Sequence, residues 1–379
     1  MKDKKDVLPV ICCEEQSLQR SCCPAADQNS PATDYAWQNG QVDTPAGSVP
    51  RVATPLGWRD IIGGWKARWG LGRMNYRIPP GLYAVGDPGP NSPVLVSANY
   101  KLSFDSLRRE LTGLNLWLMI IDTNGINVWC AAGKGTFGTA ELVERIEKVC
   151  LKDIVMHRKI ILPQLAAPGV AAHTVFKRSG FQVVYGPVRA RDIPAFLKRG
   201  CVATPQMRQV SFTLRERLQV VPVELALMSK FILWIFLVLL GLNVLTMVLN
   251  GTFSGTAKLL SQTMADIVPI LGAVLLGTVL VPLLLPYIPG RAFALKGFIV
   301  GFLWALVYIL LVAPPGGWMP VVAYLLLLPS ISAFLSVNFT GSSTYTSLSG
   351  VVKEMSIALP LIVMAATLGI LGLVVGRFL

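Results

Sequence analysis

The chain has 379 residues, of which 53% are hydrophobic, and its mean hydropathy is +0.55. These values are too high for a wholly soluble protein and indicate that part of the chain lies in lipid. The charge is uneven, since 28 of the 34 basic and 19 of the 21 acidic residues precede Lys230. A basic domain can bind nucleic acid, but basic residues beside a membrane also hold a domain on anionic lipid. We therefore expect membrane lipid, and no nucleic acid, as a partner.

Residues 1–55 are predicted to form a disordered N-terminal tail, because the stretch 24–55 is rich in small and polar residues and has no apolar period. Residues 56–92 carry several Trp and Tyr and are interpreted as an ordered lead-in arm. The first eight residues are charged and no apolar run follows them, which argues against a secretory signal. The seven cysteines do not form a regular disulfide framework.

Residues 93–225 alternate between strand-like and helix-like segments. Short apolar runs predict strands at residues 93–98, 116–121, 159–162, 181–185 and 209–212. Helical spacing predicts helices at residues 104–111, 139–151, 170–179 and 192–198, and Thr213 can cap a further helix that leads to the membrane. This alternation indicates an α/β fold with a Rossmann-like parallel sheet, in which ligands bind beyond the carboxyl ends of the strands.

Residues 226–379 contain five apolar runs that are long enough to cross the hydrocarbon, which predicts an all-α transmembrane domain. The runs lie at about residues 230–249, 266–286, 293–312, 319–337 and 355–376. Arg291 and Lys296 make one connection basic, so this connection and the soluble domain are expected in the cytoplasm, with the spans in the inner membrane. Asp266 is placed at the end of its run, so an ion pump or a voltage sensor is not expected.

The most informative segment is residues 122–138, DTNGINVWCAAGKGTFG, which follows the second predicted strand. Gly133, Gly135 and Gly138 fit the dinucleotide pattern G-x-G-x-x-G, but that pattern begins at the end of a strand, and here about ten residues intervene. Gly133–Lys134 resembles the end of a phosphate-binding loop. It lacks the following Ser or Thr and the glycine five positions earlier, so this reading fails.

A third interpretation is a short helix over residues 126–133 that is capped by Asn127 and presents Cys130 at the sheet edge. The helix N-terminus and the nearby Lys134 would both favour a thiolate, which is the form that binds metals. The plainer alternative is that Cys130 is a small buried apolar residue. His157 and His173 are distant in sequence, and a lone Cys cannot close a zinc site. From the residues alone, Cys130 is interpreted as a single axial ligand to a prosthetic metal.

The run Asn127-Val128-Trp129-Cys130-Ala131-Ala132-Gly133-Lys134 resembles the cap-helix signature of the mercury-methylating corrinoid protein family. It is more distantly similar to the large subunit of the corrinoid iron–sulfur protein of acetyl-CoA synthesis. The order of parts also agrees, namely a corrinoid-binding α/β domain with a cap helix and then five transmembrane helices. The resemblance covers about residues 75–379.

This resemblance implies that the protein is a corrinoid-dependent methyltransferase, in which the Cys130 thiolate binds the cobalt of cobalamin from below and a methyl group passes to Hg(II), giving methylmercury. It also implies a methyltetrahydrofolate-linked methyl donor from anaerobic one-carbon metabolism and a ferredoxin-like reductant with two [4Fe–4S] clusters. Cofactor contacts are expected along the cap helix and its flanking loops, at Thr123, Asn124, Gly125, Asn127, Val128, Trp129, Cys130, Ala131, Ala132, Gly133, Lys134, Thr136 and Phe137.

The chain departs from the iron–sulfur relative in one respect, because it has no four-cysteine cluster motif. Cys12, Cys13, Cys22 and Cys23 are adjacent pairs, which could capture Hg(II) or could be incidental residues of the tail, so no intrinsic iron–sulfur cluster is expected. Cys150 and Cys201 are interpreted as structural. Two other functions stay open: a corrinoid methyl carrier with another acceptor, and a non-enzymatic membrane binding or transport protein.

Overall fold

The computed structural model describes residues 35–251, 255–312, 317–342 and 348–378. The chain forms two units. The sheet unit comprises residues up to Gly57 together with Arg77–Ala203, and the helical unit comprises Trp58–Tyr76, which contains helix α1 (Trp58–Arg68), together with Thr204–Leu379. The predicted boundary between residues 225 and 226 therefore moves to residue 203. The described residues do not include Cys12, Cys13, Cys22 and Cys23, so their predicted roles stay predictions.

The sheet unit is built on one seven-stranded sheet with the order β1-β2-β3-β5-β4-β6-β7. Neighbours β5, β4, β6 and β7 are parallel, and β4 and β5 are buried along their whole length, as strands covered on both faces must be. The strands are β1 (Gln38–Thr44), β2 (Gly47–Val52), β3 (Gly81–Val85), β4 (Val94–Ala98), β5 (Leu116–Ile121), β6 (Lys159–Leu162) and β7 (Gln182–Tyr185).

The sheet is mixed, so the predicted parallel sheet describes only part of it. Strand β3 pairs antiparallel with β5, and β1 and β2 form an antiparallel hairpin within residues 38–52 that was assigned to the disordered tail. The hairpin region is held by the buried Trp37, whose ring lies 5.4 Å from that of Tyr83 and 5.1 Å from that of Phe104. Farther along, the guanidinium of Arg108 donates to the carbonyl oxygens of Ala53 and Pro55. These partners are distant in sequence, so local composition did not reveal them.

Six helices cover the sheet: α2 (Lys101–Glu110), α3 (Val128–Lys134), α4 (Thr139–Lys148), α5 (Leu151–Ile154), α6 (Ala172–Ser179) and α7 (Ile193–Lys198). Helices α3, α4 and α6 share a core with the sheet, in which Ala131, Leu142 and Val175 are fully buried. The predicted strand at residues 209–212 is absent. Phe212 instead packs on Phe339 in the helical unit, with ring centroids 6.3 Å apart.

The helical unit contains, among the described residues, five helical segments that are long and apolar enough to span a membrane. They are built from α9 (Val221–Leu249), which follows the short α8 (Leu214–Leu218); α10 (Thr256–Leu275), which continues through a π-helical turn into α11 (Val281–Leu284); α12 (Phe293–Val312); α13 (Trp318–Asn338); and α14 (Leu348–Phe378). Helices α12 and α13 approach closely where Gly297 and Gly301 meet Ala333 and Pro329. A Cβ on either glycine would lie 2.7 Å from a backbone Cα.

One ionisable residue lies deeper than the sequence indicated. Because α10 begins at Thr256, Asp266 lies ten residues inside its span and not at the end. Its carboxylate accepts hydrogen bonds from Asn243 of α9 at 2.9 Å and from Arg377 of α14 at 2.5 Å. The helix boundary was misplaced because the first ten residues of α10 include polar side chains such as Lys258, which lowered the apparent hydrophobicity.

Candidate functional site

The carboxyl ends of the parallel strands meet at one edge of the sheet. The chain passes from β4 to β5 on one side and then returns past β4 to β6 on the other, which leaves a topological switch point between β4 and β6. A cavity of about 350 Å³, a size typical of small-molecule sites, opens at this edge. It is lined by the ends of β4, β6 and β7, by α2 and by the start of α3, including Ser97, Ser103, Asn127, Trp129, Pro163 and Gly186.

The loop that leads from β5 into α3 is organised by Asn99, a buried residue just after β4. The Asn99 side-chain oxygen accepts hydrogen bonds from the Thr123 amide at 3.1 Å, the Thr123 hydroxyl at 2.9 Å and the Gly125 amide at 2.9 Å. Its amide nitrogen donates to Asp122 at 2.9 Å. Four hydrogen bonds therefore fix a turn in which Asn124 and Gly125 both have positive φ. The role of Asn99 is not evident from the sequence, because its partners lie 23–26 residues away.

Helix α3 begins at the predicted side-chain cap, two residues later than the predicted start at Ile126, and ends at a left-handed glycine. Asn127 has extended backbone angles, and its side-chain oxygen accepts a hydrogen bond from the Cys130 amide at 2.9 Å. Gly135 follows the helix with φ of 81°. The helix is one residue longer at its C-terminal end than predicted and includes Lys134. Cys130 is thus held in the first turn of a short helix with both ends defined.

The two faces of α3 differ sharply. Val128, Ala131 and Ala132 point into the core, whereas Trp129, Gly133 and Lys134 are exposed and Cys130 is half-buried between the two faces. A Cβ placed on Gly133 would have no heavy atom within 4 Å. Gly133 lies one turn after Cys130, so this position beside the thiol carries no side chain.

Several residues of the expected contact set also support α3. Ala131 and Phe137 are fully buried, Ala132 is almost so, and the Thr123 side chain is buried against Asn99. In this structure these side chains are packed within the protein, and their contact with a cofactor stays a prediction. Below the helix, a Cβ on Gly169 would overlap the Phe137 carbonyl oxygen and lie 3.0 Å from Ala132 Cα. The loop after β6 therefore packs tightly under α3.

The donor set near Cys130 suits a metal that brings most of its own ligands. Among the described residues, no group of three or more His, Cys, Asp or Glu side chains could hold a metal ion. Cys130 and Cys201 are free thiols, and His157 is tied by a hydrogen bond to the Ser92 carbonyl oxygen. Gln164, in the 3-10 turn against α3, has a buried side-chain oxygen with no hydrogen-bond partner among the described residues. One free thiol beside a helix position that carries no side chain is compatible with a flat metallated ring that supplies the other metal ligands itself.

Known proteins are similar to the part of the chain that contains this site. Residues 73–197 match the family described as CO dehydrogenase/acetyl-CoA synthase delta subunit. The chain is 31% identical over 129 residues to the acetyl-CoA decarbonylase/synthase complex subunit gamma of Archaeoglobus fulgidus, covering 34% of this chain and 27% of that protein. It is 34% identical over 129 residues to the corresponding subunit of Methanopyrus kandleri, covering 34% and 28%.

The matched stretch begins in the last four residues of the segment Trp58–Tyr76, then runs through the sheet unit from β3 to α7 and includes all of α3. The chain spans about a quarter of the length of these curated relatives, and the five long helices of the helical unit lie outside the matched residues. The sheet unit is therefore similar, at about 30% identity, to subunits of acetyl-CoA decarbonylase/synthase complexes.

Proposed function

We propose that the sheet unit binds cobalamin and that the Cys130 thiolate is the lower axial ligand of its cobalt. The observation that carries this proposal is the position of Cys130, in the first turn of a capped helix whose adjacent face is open at Gly133. The similarity to acetyl-CoA decarbonylase/synthase subunits, which the sequence resemblance links to corrinoid methyl carriers, supports it. A thiolate is a soft, strongly donating ligand and suits a transition metal that is already held by a macrocycle.

Four features of the chain would hold and orient the group. Asn127 fixes the turn that carries Cys130, and Gly133 leaves room for a flat ring on the helix. The buried side-chain oxygen of Gln164, in the turn that packs against α3, would be available to accept a hydrogen bond from an amide of the corrin side chains. Trp129 is exposed next to the thiol and would exclude water from the lower face. When bound, the corrinoid supplies a cobalt-bound methyl group for transfer.

We further propose that the acceptor is Hg(II), so that the product is methylmercury. Hg(II) is an electrophile and accepts the methyl group together with both electrons of the broken bond. If the Cys130 thiolate held the cobalt, its electron donation would favour transfer of the methyl group in that form more than a neutral imidazole would. The resemblance of residues 127–134 to the mercury-methylating family supports this acceptor.

The proposed partners follow from what the chain would need. Electrons to restore the cofactor are assigned to a ferredoxin-like protein with two [4Fe–4S] clusters, and the methyl group to a methyltetrahydrofolate-linked donor. The relatives are subunits of multi-subunit complexes, which supports protein partners in general. The five long apolar helices support placement in the inner membrane, and the basic connection at Arg291 supports a cytoplasmic sheet unit.

The test uses full-length protein in membranes, loaded with cobalamin and supplied with a methyl donor and Hg(II). Cys130→Ala is expected to abolish methylmercury formation and to change the visible spectrum of the bound cofactor. Cys201→Ala is the matched control, because it removes the other half-buried free thiol and is expected to leave both readouts unchanged. Full methylation by Cys130→Ala, or equal loss with both variants, would rule out the assigned role of Cys130.

A second candidate keeps the corrinoid but changes the acceptor, and the names of the relatives favour it because they belong to an acetyl-CoA decarbonylase/synthase complex. Purified methylated protein can be offered Hg(II) or a carbonyl acceptor in separate reactions. Transfer to Hg(II) supports the first candidate, and transfer to the carbonyl acceptor alone supports the second. A colourless protein that takes up no cobalamin would instead indicate a binding or transport protein without this cofactor.

A further inference from the structure

Helix α1 has its small residues on the inside and its large apolar residues on the outside. Gly64 and Ala67 are buried, and a Cβ on Gly63 would lie 2.6 Å from the Tyr76 hydroxyl oxygen, so this narrow face packs on the following segment. The opposite face carries a continuous apolar stripe at helical spacing, extended by one turn beyond the helix. Its members are between 36% and 68% exposed: Trp58, Ile61, Ile62, Trp65 and Trp69.

This arrangement is the reverse of that expected for a helix on a water-facing surface. A surface helix of a soluble protein buries its large apolar stripe and exposes polar residues. Here three of the nine tryptophans of the chain stand on one exposed stripe. A contiguous apolar patch of this kind marks an interaction site, because leaving it in water would be unfavourable.

The charges that border the stripe are basic. With about 100° between successive helical residues, Arg59 and Lys66 fall along one edge of the stripe and Arg68 along the other. The acidic residue Asp60 falls toward the buried face and is half-buried. An apolar stripe of Trp and Ile with basic residues on both edges is the pattern of a helix that lies flat in the interface of an anionic membrane.

Contacts within the helical unit show which end of the first span lies beside α1. A Cβ on Gly70, just after α1, would lie 3.9 Å from the Ala226 Cβ in the second turn of α9. Arg73 lies within electrostatic reach of Glu224, in the first turn of the same helix. These residues precede Lys230, where the most apolar part of the first span begins. The C-terminal end of α1 therefore lies beside the N-terminal end of the first span, at the level where the lipid headgroups would lie.

We infer that α1 is an interfacial helix that inserts Trp58, Trp65 and Trp69 into the headgroup layer of an anionic phospholipid bilayer, on the side where α9 begins. Arg59, Lys66 and Arg68 contact lipid phosphates. Because α1 precedes Arg77 and the first span follows Ala203, the matched portion of the sheet unit is connected at both ends to membrane-bound segments. This inference does not depend on the proposed cofactor.

Tryptophan fluorescence of the full chain in lipid nanodiscs tests it. The emission of the variant Trp58→Phe/Trp65→Phe/Trp69→Phe is subtracted from that of the wild type, which isolates the three stripe residues from the other six tryptophans. Lipid brominated near the headgroup is expected to quench about half or more of this difference emission. Phe preserves the apolar stripe, so the variant should fold and retain cofactor binding.

Each other outcome overturns the inference. A red-shifted difference emission quenched by aqueous acrylamide would mean that the stripe faces water. An emission shielded from both quenchers would mean that a second copy or a protein partner covers it. A second variant, Arg59→Gln/Lys66→Gln/Arg68→Gln, should reduce lipid quenching by about twofold or more in anionic nanodiscs and not in zwitterionic ones. Equal quenching in both lipids for the wild type and this variant would overturn the assigned anionic preference.

Discussion

The side-chain oxygen of Asn127 accepts a hydrogen bond from the backbone amide of Cys130 at 2.9 Å. This single contact links the residue that begins α3 to the thiol on which the proposed function depends. Helix α3 has seven residues and is too short to be stable by its intrinsic propensity. Its position therefore depends on the cap at Asn127, on the glycine at its end and on the core beneath it.

Replacing the cap should loosen the thiol without removing it. We expect Asn127→Ala to lower the free energy of unfolding of the sheet unit by about 1 kcal/mol, because one amide of the first turn loses its acceptor. Asn127→Ser retains an acceptor and should recover most of the loss. Thermal unfolding of both variants, together with the visible spectrum of bound cobalamin, measures the two effects. Equal stability of the two variants would show that the cap does not hold α3.

Asn99 should be essential to the loop that precedes α3. Asn99→Ala would leave buried donors of Thr123 and Gly125 without an acceptor, at a cost of about 3 kcal/mol. Asn99→Asp keeps the acceptor but sets a second carboxylate against Asp122, which now receives a hydrogen bond from Asn99. Adding Asp122→Asn to Asn99→Asp restores an attractive pair and should recover most of the stability. Chemical denaturation of Asn99→Asp, of Asp122→Asn and of the double variant measures this coupling.

If the double variant proved as destabilised as Asn99→Asp alone, the loop would depend on the carboxylate of Asp122 itself and not on the pair. Asp122→Asn preserves an oxygen for the Asn99 and Asn124 donors. It is therefore expected to be a milder change than Asn99→Ala or Asn99→Asp.

Two glycines near α3 should respond oppositely to the same substitution. Gly133→Ala adds a methyl group into open space on a helix, so the free energy of unfolding should rise by about 0.5–1 kcal/mol. If a ring lies on this face, the same methyl group should weaken cobalamin binding by about tenfold, or 1.4 kcal/mol. Gly169→Ala drives a methyl group into the backbone beneath α3 and should lower stability by about 1–3 kcal/mol.

Titration with cobalamin and thermal unfolding separate these two effects. A Gly133→Ala variant with unchanged cobalamin affinity would show that the ring does not lie over this face of α3, even if Cys130 remains necessary.

The elements that were predicted accurately are those whose signal is local. Strands β5 and β6 and helix α12 begin and end at the predicted residues, because each is mostly apolar and is flanked by polar or small residues. The cap at Asn127 was also found, because an Asn followed by an apolar helical stretch is a local signature. Thr213 likewise caps α8 through a capping box with Glu216.

The features that were missed depend on distant partners. The hairpin of β1 and β2 is half-exposed and rich in turn residues, and its order comes from Trp37 packing on Tyr83 and Phe104. The aromatic residues near Trp58 were noticed, but their outward orientation depends on what α1 packs against. In the sequence, Asn99 resembles any other loop residue, because its contact with Thr123 forms only in the folded structure. In the candidate site, the sequence predicted the helix that carries Cys130, whereas the burial of Ala131 and Phe137 required the structure.

Asp266 and Arg377 should stabilise the helical unit as a pair. Arg377 donates to Asp266 at 2.5 Å and to the side-chain oxygen of Asn243 at 2.7 Å, which joins α14 to α10 and α9. We expect Asp266→Asn or Arg377→Gln alone to lower stability in detergent or lipid by about 2–3 kcal/mol, because each leaves one charge in an apolar surrounding. The double variant removes both charges and should lose less than the sum of the two single changes. Lys258→Gln is the control, since it removes an exposed charge from the same helix. Unfolding by increasing SDS in mixed micelles gives the four free energies, and strictly additive losses would show that the pair does not act as a unit.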